Sequence, residues 1–128
     1  MKIMICEGNI GKAKLLMDLL NVYKFRLIIL TENGEFFKKV QSYKPAIIII
    51  NKKFIEKPGE NIINQIRSNP VSSKTPIIYI SDSTDLINKA EELSKDSLTE
   101  LIQEPYKIKH LRHYVDRWTT FRSLYIKH

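Results

Sequence analysis

The sequence has one cysteine, Cys6, only four glycines, and no apolar run longer than the five residues from Ala46 to Ile50. A lone cysteine excludes an internal disulfide framework and suits a reducing compartment. A run that short cannot cross a bilayer, which takes about 20 apolar residues in a helix. The opening Met1 to Glu7 turns to charge too early for a secretory signal. Cytoplasmic residence, without membrane attachment, is the expectation. Catalytic signatures are missing as well. There is no GxSxG, no HExxH and no cysteine–histidine pair at catalytic spacing. The turn Glu7-Gly8-Asn9-Ile10-Gly11 has two glycines but not the spacing of a dinucleotide loop, nor the Ser/Thr cluster of a flavin phosphate loop. His110 and His113 stand three apart with neither cysteine nor carboxylate pair beside them, a weak metal signal. The chain therefore reads as no enzyme, with no cofactor and no metal.

What is there is an ordinary globular composition. Over 128 residues, 43% are hydrophobic and 27% charged, which fits a single domain, 1–128. A chain of this size buries about two-thirds of its unfolded surface. The net charge is +7, and the segment from Tyr106 onward holds six Lys and Arg against Asp116 alone. Basicity concentrated at one end differs from the broad positive coat of a nucleic-acid-binding surface.

Hydrophobic periodicity alternates between two kinds along the chain. Ile3 to Cys6 reads as a buried strand, and Ile10 to about Tyr23 as a helix with Leu15, Leu16, Leu19 and Leu20 at helical spacing. Phe25 to Leu30 is a second strand, closed by the turn signal Thr31-Glu32-Asn33-Gly34. Glu35 to Tyr43 places Phe36, Phe37 and Val40 on one helical face. The β-branched run Ala46 to Ile50 predicts a strand buried on both faces, as in a parallel sheet. After the basic loop Asn51 to Gly59, Ile62, Ile63 and Ile66 mark a helix stopped by Asn69-Pro70. Pro76 to Ser81 is a fourth strand, and Ser83 or Thr84 caps a helix reaching about Ser94. Leu98 to Gln103 is a fifth strand, and a long helix covers 106–126. Strands joined by helical crossovers run parallel, with right-handed units. The fold class is α/β, a (βα)5 doubly wound five-stranded parallel sheet of order 2-1-3-4-5, flavodoxin-like. Ligands sit at the carboxyl ends of such strands, here Glu7, Gly8, Asn51, Ser81 and Glu104.

Those positions carry a resemblance to the receiver domains of two-component response regulators, the CheY-like fold, over essentially the whole chain. Glu7 follows the first strand, Asn51 ends the third, and Pro58-Gly59 precedes a helix ending Gln65-Ile66-Arg67. Pro76-Ile77-Ile78 leads to Ser81, and Glu104 precedes Pro105-Tyr106, where the family has Lys-Pro-Phe. The resemblance implies a phosphoacceptor Asp at position 51, an acidic pair at positions 7 and 8 for Mg²⁺, a hydroxyl at 81, a Lys at 104 and often a switching aromatic at 101. Here those positions hold Asn51, Glu7 with Gly8, Ser81, Glu104 and Leu101. An amide is too poor a nucleophile to take a phosphoryl group. Hard cations want several oxygens, usually carboxylate, and Glu104 repels what a lysine would neutralise. The expectation is a pseudo-receiver: no aspartyl phosphate and little affinity for Mg²⁺. Two readings of the pocket stand. In one it has become ordinary surface. In the other Lys52 or Lys53 pairs with Glu7 or Glu104 and fills the space of the metal.

In the last helix, Ile108, Leu111, Val115 and Trp118 form the stripe that packs on the sheet. Aromatic side chains flanked by arginines, namely Arg112, Tyr114, Arg117, Trp118, Phe121 and Tyr125, form the expected partner surface. In receivers the last two helices and the fifth strand make the usual partner face. The plainer alternative places Trp118 and Phe121 in the core, with the arginines solvating the outer face. The leading functional reading is a phosphorylation-independent signalling module acting through a protein contact with a histidine kinase, another regulator or a second copy. Nucleic-acid binding by the basic C-terminal helix is the alternative, although the chain has no helix-turn-helix, zinc-finger spacing or single-strand motif.

Overall fold

Isoleucines alternate between the two faces of the central strand and divide the core in two. The computed structural model describes residues 1–54, 62–81 and 97–126, with side chains through Thr119. The elements run β1 (Lys2–Cys6), α1 (Ile10–Leu20), β2 (Arg26–Leu30), α2 (Phe36–Tyr43), β3 (Ile47–Asn51), α3 (Ile62–Ser68), β4 (Ile77–Ser81), β5 (Thr99–Gln103) and α4 (Ile108–Ile126). All strand pairs are parallel and the order is β2-β1-β3-β4-β5. The helix expected between Ser83 and Ser94, and Pro58-Gly59, lie outside the described residues.

Strand side chains point alternately to opposite faces. Ile47 and Ile49 of β3 join Ile3, Ile5, Ile78 and Ile80 beneath α1 and α4, where Leu16, Leu20, Leu111 and Val115 cover them. Ile48 and Ile50 face the other way with Met4, Cys6, Ile77 and Tyr79, beneath Phe36 and Val40 of α2 and Ile63 and Ile66 of α3. All five residues of β3 and of β4 are buried. The doubly wound sheet expected from the sequence is the one observed. Cys6 is a free thiol in this core, and burial holds its pKa well above the ordinary value.

Local chemistry sets the boundaries. Asn9 caps α1, its side-chain oxygen accepting from the Lys12 backbone N–H at 3.0 Å. Lys24 and Lys44 close their helical segments in the left-handed region, at φ 55° and 51°. Arg67, at the end of α3, donates to the Thr75 carbonyl at 2.6 Å and to Thr99 Oγ1 at 2.9 Å, clamping the starts of β4 and β5. No helix among the described residues is long and apolar enough to cross a membrane.

Two expectations for helix faces are corrected. Leu15 is 50% exposed and Ile108 47% exposed, because each lies at the carboxyl edge of the sheet, where strand surface gives way to a cleft. Trp118 is only 6% exposed and packs with Leu111 and Val115, so it belongs to the core and not to a partner surface.

Candidate functional site

The carboxyl ends of β1, β3 and β4, with the loop after β5, deliver the predicted residues to one place. β1 runs into Glu7, β3 ends on Asn51 and β4 on Ser81, and all three are buried to within 3% exposure. The Glu104 backbone N–H donates to the Ser81 carbonyl at 2.8 Å, which holds the loop after β5 against the end of β4. The following Glu104–Pro105 peptide is cis. Glu7, Asn51 and Glu104 then line a cleft of about 240 Å³, with Lys12, Leu15, Leu19, Ile80, Pro105, Tyr106 and Ile108 as its other walls.

Glu104 is the hub of the polar end. One carboxylate oxygen accepts from the Asn51 side-chain amide. The other accepts from Lys12 Nζ at 2.7 Å. That hydrogen bond is the main cause of a raised Lys12 pKa, with partial desolvation opposing it and the charges of Glu104 and Glu7 adding to it. The amide of Asn51 is also fixed at its other end, since Oδ1 accepts from the Lys53 backbone N–H at 2.9 Å. Side-chain orientation is thereby determined: nitrogen toward Glu104, oxygen toward the β3 turn.

Glu7 is arranged differently. Its Oε1 accepts from the Asn9 backbone N–H at 3.1 Å, and no ion pair to it is formed among the described residues. The Tyr106 hydroxyl pKa is raised, first by burial and then by the charges of Glu104 and Glu7. Gly8 is exposed, and a Cβ there would meet only the Thr31 carbonyl oxygen at 3.6 Å, an ordinary contact. Its lack of a side chain is not forced by the backbone.

The expected cation is corrected. Lys53 contributes its backbone amide to the pocket while its side chain is exposed. The ammonium on Glu104 comes from Lys12, on the first turn of α1 and 92 residues away in sequence. Sequence reading missed Lys12 because nothing in its spacing marks it. The available signal was geometric: Asn9 caps the helix, and a long side chain three residues later stands at the mouth of the same cleft.

The donor set does not fit a hard divalent cation. Among the described residues no three His, Cys, Asp or Glu side chains converge. Both Glu104 oxygens and both ends of the Asn51 amide already have partners, and an ammonium sits within the cleft. Mg²⁺ demands several free oxygens in near-octahedral array.

On α4, Arg112 is exposed, and Tyr114 is half-buried against the core with the His113 ring edge-on at 5.5 Å. Arg117 is paired with Glu100 at 2.9 Å and lies 5.3 Å over the Trp118 ring. The side chains of Phe121 and Tyr125 lie outside the described residues. A groove of about 250 Å³ between β5 and the start of α4 is lined by Leu101, Gln103, Lys107, His110 and Tyr114, among others.

No family model matches the sequence, and no curated protein matches it. Solved structures do match. A response regulator from Desulfuromonas acetoxidans superposes with a TM-score of 0.77 at 18% identity, covering 94% of this chain and 97% of that one. The receiver domain of a DNA-binding response regulator from Colwellia psychrerythraea gives 0.80 at 15% identity, over 93% and 98%. The receiver domain of a Pseudomonas aeruginosa sensor histidine kinase, with a magnesium ion coordinated in its active-site cleft, gives 0.69 at 18% identity, over 91% and 95%. The fold is that of receiver domains.

Proposed function

We propose that this chain is a receiver-type module of two-component signalling, acting by phosphorylation-independent contact with a protein. The partner is a histidine kinase, another regulator or a second copy of the chain. The observation that carries the reading is the engagement of Glu104 by both Asn51 and Lys12. In the fold family, according to the resemblance, a phosphoryl group on the third strand is met by a lysine after the fifth. Here the anion is on the β5 side, the amide on β3 and the cation on α1. The polarity is reversed, and the three elements are tied together by the chain's own side chains.

The chemistry supports the same reading. Asn51 has no nucleophilic oxygen free for attack, and Glu104 stands where incoming phosphate would be repelled. With no reaction for the pocket to carry out, the protein's output is a surface in a fixed conformation. The face formed by β5 and α4, with exposed Arg112 and half-buried Tyr114, is the proposed contact surface. Nucleic-acid binding is less favoured, because Arg117 is engaged by Glu100 within the chain.

The test is incubation with acetyl phosphate and Mg²⁺ followed by intact-mass spectrometry, beside sedimentation analysis over a range of protein concentrations. An unmodified mass, with any self-association unaffected by the phosphodonor, is expected. A phosphorylated adduct, or an assembly that forms only with the phosphodonor, contradicts the proposal.

A further inference from the structure

We infer that the cleft at the carboxyl end of the sheet is a binding site for a small primary ammonium ion carried on an apolar body. The charges do not balance. Glu7 and Glu104 bring two carboxylates, Lys12 brings one ammonium, and among the described residues lining the cleft there is no second cation. Among these described residues one net negative charge is left, on the Glu7 side, where the carboxylate acts on Lys12 only through space. That carboxylate is 3% exposed and accepts one backbone N–H through Oε1; Oε2 accepts none from the described residues and, not being a fully enclosed atom, opens onto the cleft that Glu7 lines. Buried carboxylates are normally paired or saturated with donors. A singly charged donor of several N–H bonds satisfies what remains.

The rest of the cleft specifies what carries the charge. Leu15, Leu19, Ile80, Pro105 and Ile108 form apolar walls, and Tyr106 adds a ring able to lie against a cation or an aromatic body. Leu15 and Ile108 are about half exposed, so the walls open to solvent and the cleft has an entrance. Its volume, about 240 Å³, falls below the range of about 300–1,000 Å³ of drug-sized pockets. The ligand is therefore small. A hydrated metal ion would leave the apolar walls without function. An acid would meet Glu7 and Glu104 with like charge.

Primary ammonium can come from a free amine or from a lysine side chain of another protein. The experiment is an amide NMR titration of the intact chain with benzylammonium, benzyl alcohol, Nα-acetyl-lysine N-methylamide and magnesium chloride at matched ionic strength. Saturable shifts at Glu7, Asn51, Glu104 and Tyr106 with benzylammonium, and none with the alcohol, are expected. Glu7→Gln, which keeps shape and removes charge, weakens that binding at least about tenfold; its own fingerprint reports that it is folded. A stronger response to the lysine analogue identifies a protein side chain as the source. The inference is overturned by three results: equal binding of alcohol and amine, no saturable shift with either amine, or shifts with magnesium chloride alone. It is independent of the signalling proposal, because a phosphorylated adduct would refute that proposal without changing these titrations.

Discussion

The carboxylate of Glu104, just beyond β5, accepts the side-chain amide of Asn51 at the end of β3, 53 residues earlier in the chain. The contact passes over the end of β4, which separates those strands in the sheet, and Lys12 completes it from α1. Three elements, α1, β3 and the loop after β5, are thereby joined by polar groups at the carboxyl end of the sheet.

Removing the buried member is the more damaging change. Asn51→Ala leaves a Glu104 oxygen and the Lys53 N–H without donor or acceptor, a loss of about 1–3 kcal/mol. Lys12 is 42% exposed at its side chain, and Lys12→Ala lowers stability by no more than about 1 kcal/mol. Urea denaturation midpoints should fall in that order. Equal effects of the two changes would show that the ammonium dominates the contact.

Alkaline pH weakens the fold through Tyr23. Partial burial, followed by the nearby Asp116 carboxylate, pushes that phenol up to about 12 from its ordinary 10.0. The folded state therefore favours the protonated phenol. Its contribution is complete below pH 10, where the unfolded chain also keeps the proton, and is lost as pH rises from 10 toward 12. The raised Lys12 pKa acts in the same direction above its ordinary 10.5. Melting temperature is expected to fall across this window in the parent, and less steeply in Tyr23→Phe.

The two ends of the expected apolar stripe on α4 respond differently. Trp118→Ala empties core volume beneath α4 and costs about 3–5 kcal/mol. Ile108→Ala, at a half-exposed residue, costs under about 1 kcal/mol. Thermal melts of both variants check the assignment of Trp118 to the core. A mild effect of Trp118→Ala would return it to the surface.

Arg67 holds the starts of β4 and β5 through the Thr75 carbonyl and Thr99 Oγ1. Arg67→Ala lowers stability by about 1.5–3 kcal/mol, since hydrogen bonds to a charged group are lost. Hydrogen exchange should quicken first at the β5 amides.

Much of the fold was legible in the sequence, and the reason is visible in β3. Four consecutive isoleucines, Ile47 to Ile50, have no meaning on a one-sided sheet, so burial on both faces and parallel strands follow directly. The site was legible in part. Strand ends are set by topology, which brought Glu7, Asn51, Ser81 and Glu104 together as expected. Lys12 was not legible, because a lysine's reach depends on the tilt of α1 over the cleft and not on any spacing. Ile108 and Leu15 were misassigned for a related reason: helical periodicity reports a face but not where the sheet beneath it ends. Trp118 carried two readings, core or partner surface, and only packing distinguished them.

The site can be rebuilt to test the proposal that it is silent. Gly8 has room for a side chain, so Gly8→Asp, Asn51→Asp and Glu104→Lys together restore an acidic pair, an acceptor carboxylate and a cation. The triple variant is expected to gain a response to Mg²⁺ and beryllofluoride, seen as amide shifts, whereas any one substitution alone is not. A triple variant that folds but remains unresponsive would place the cause of silence outside these residues.

The central claim is that Glu104, Asn51 and Lys12 hold the pocket closed to phosphoryl chemistry. Its most direct test is an amide NMR fingerprint of the parent chain, titrated first with Mg²⁺ and then with beryllofluoride, a phosphoryl mimic. Peaks of Asn51, Ser81 and the β5 residues that stay in place bear the account out. Shifts of those peaks at millimolar Mg²⁺ or below contradict it, and the protein would then be a working receiver of unusual composition.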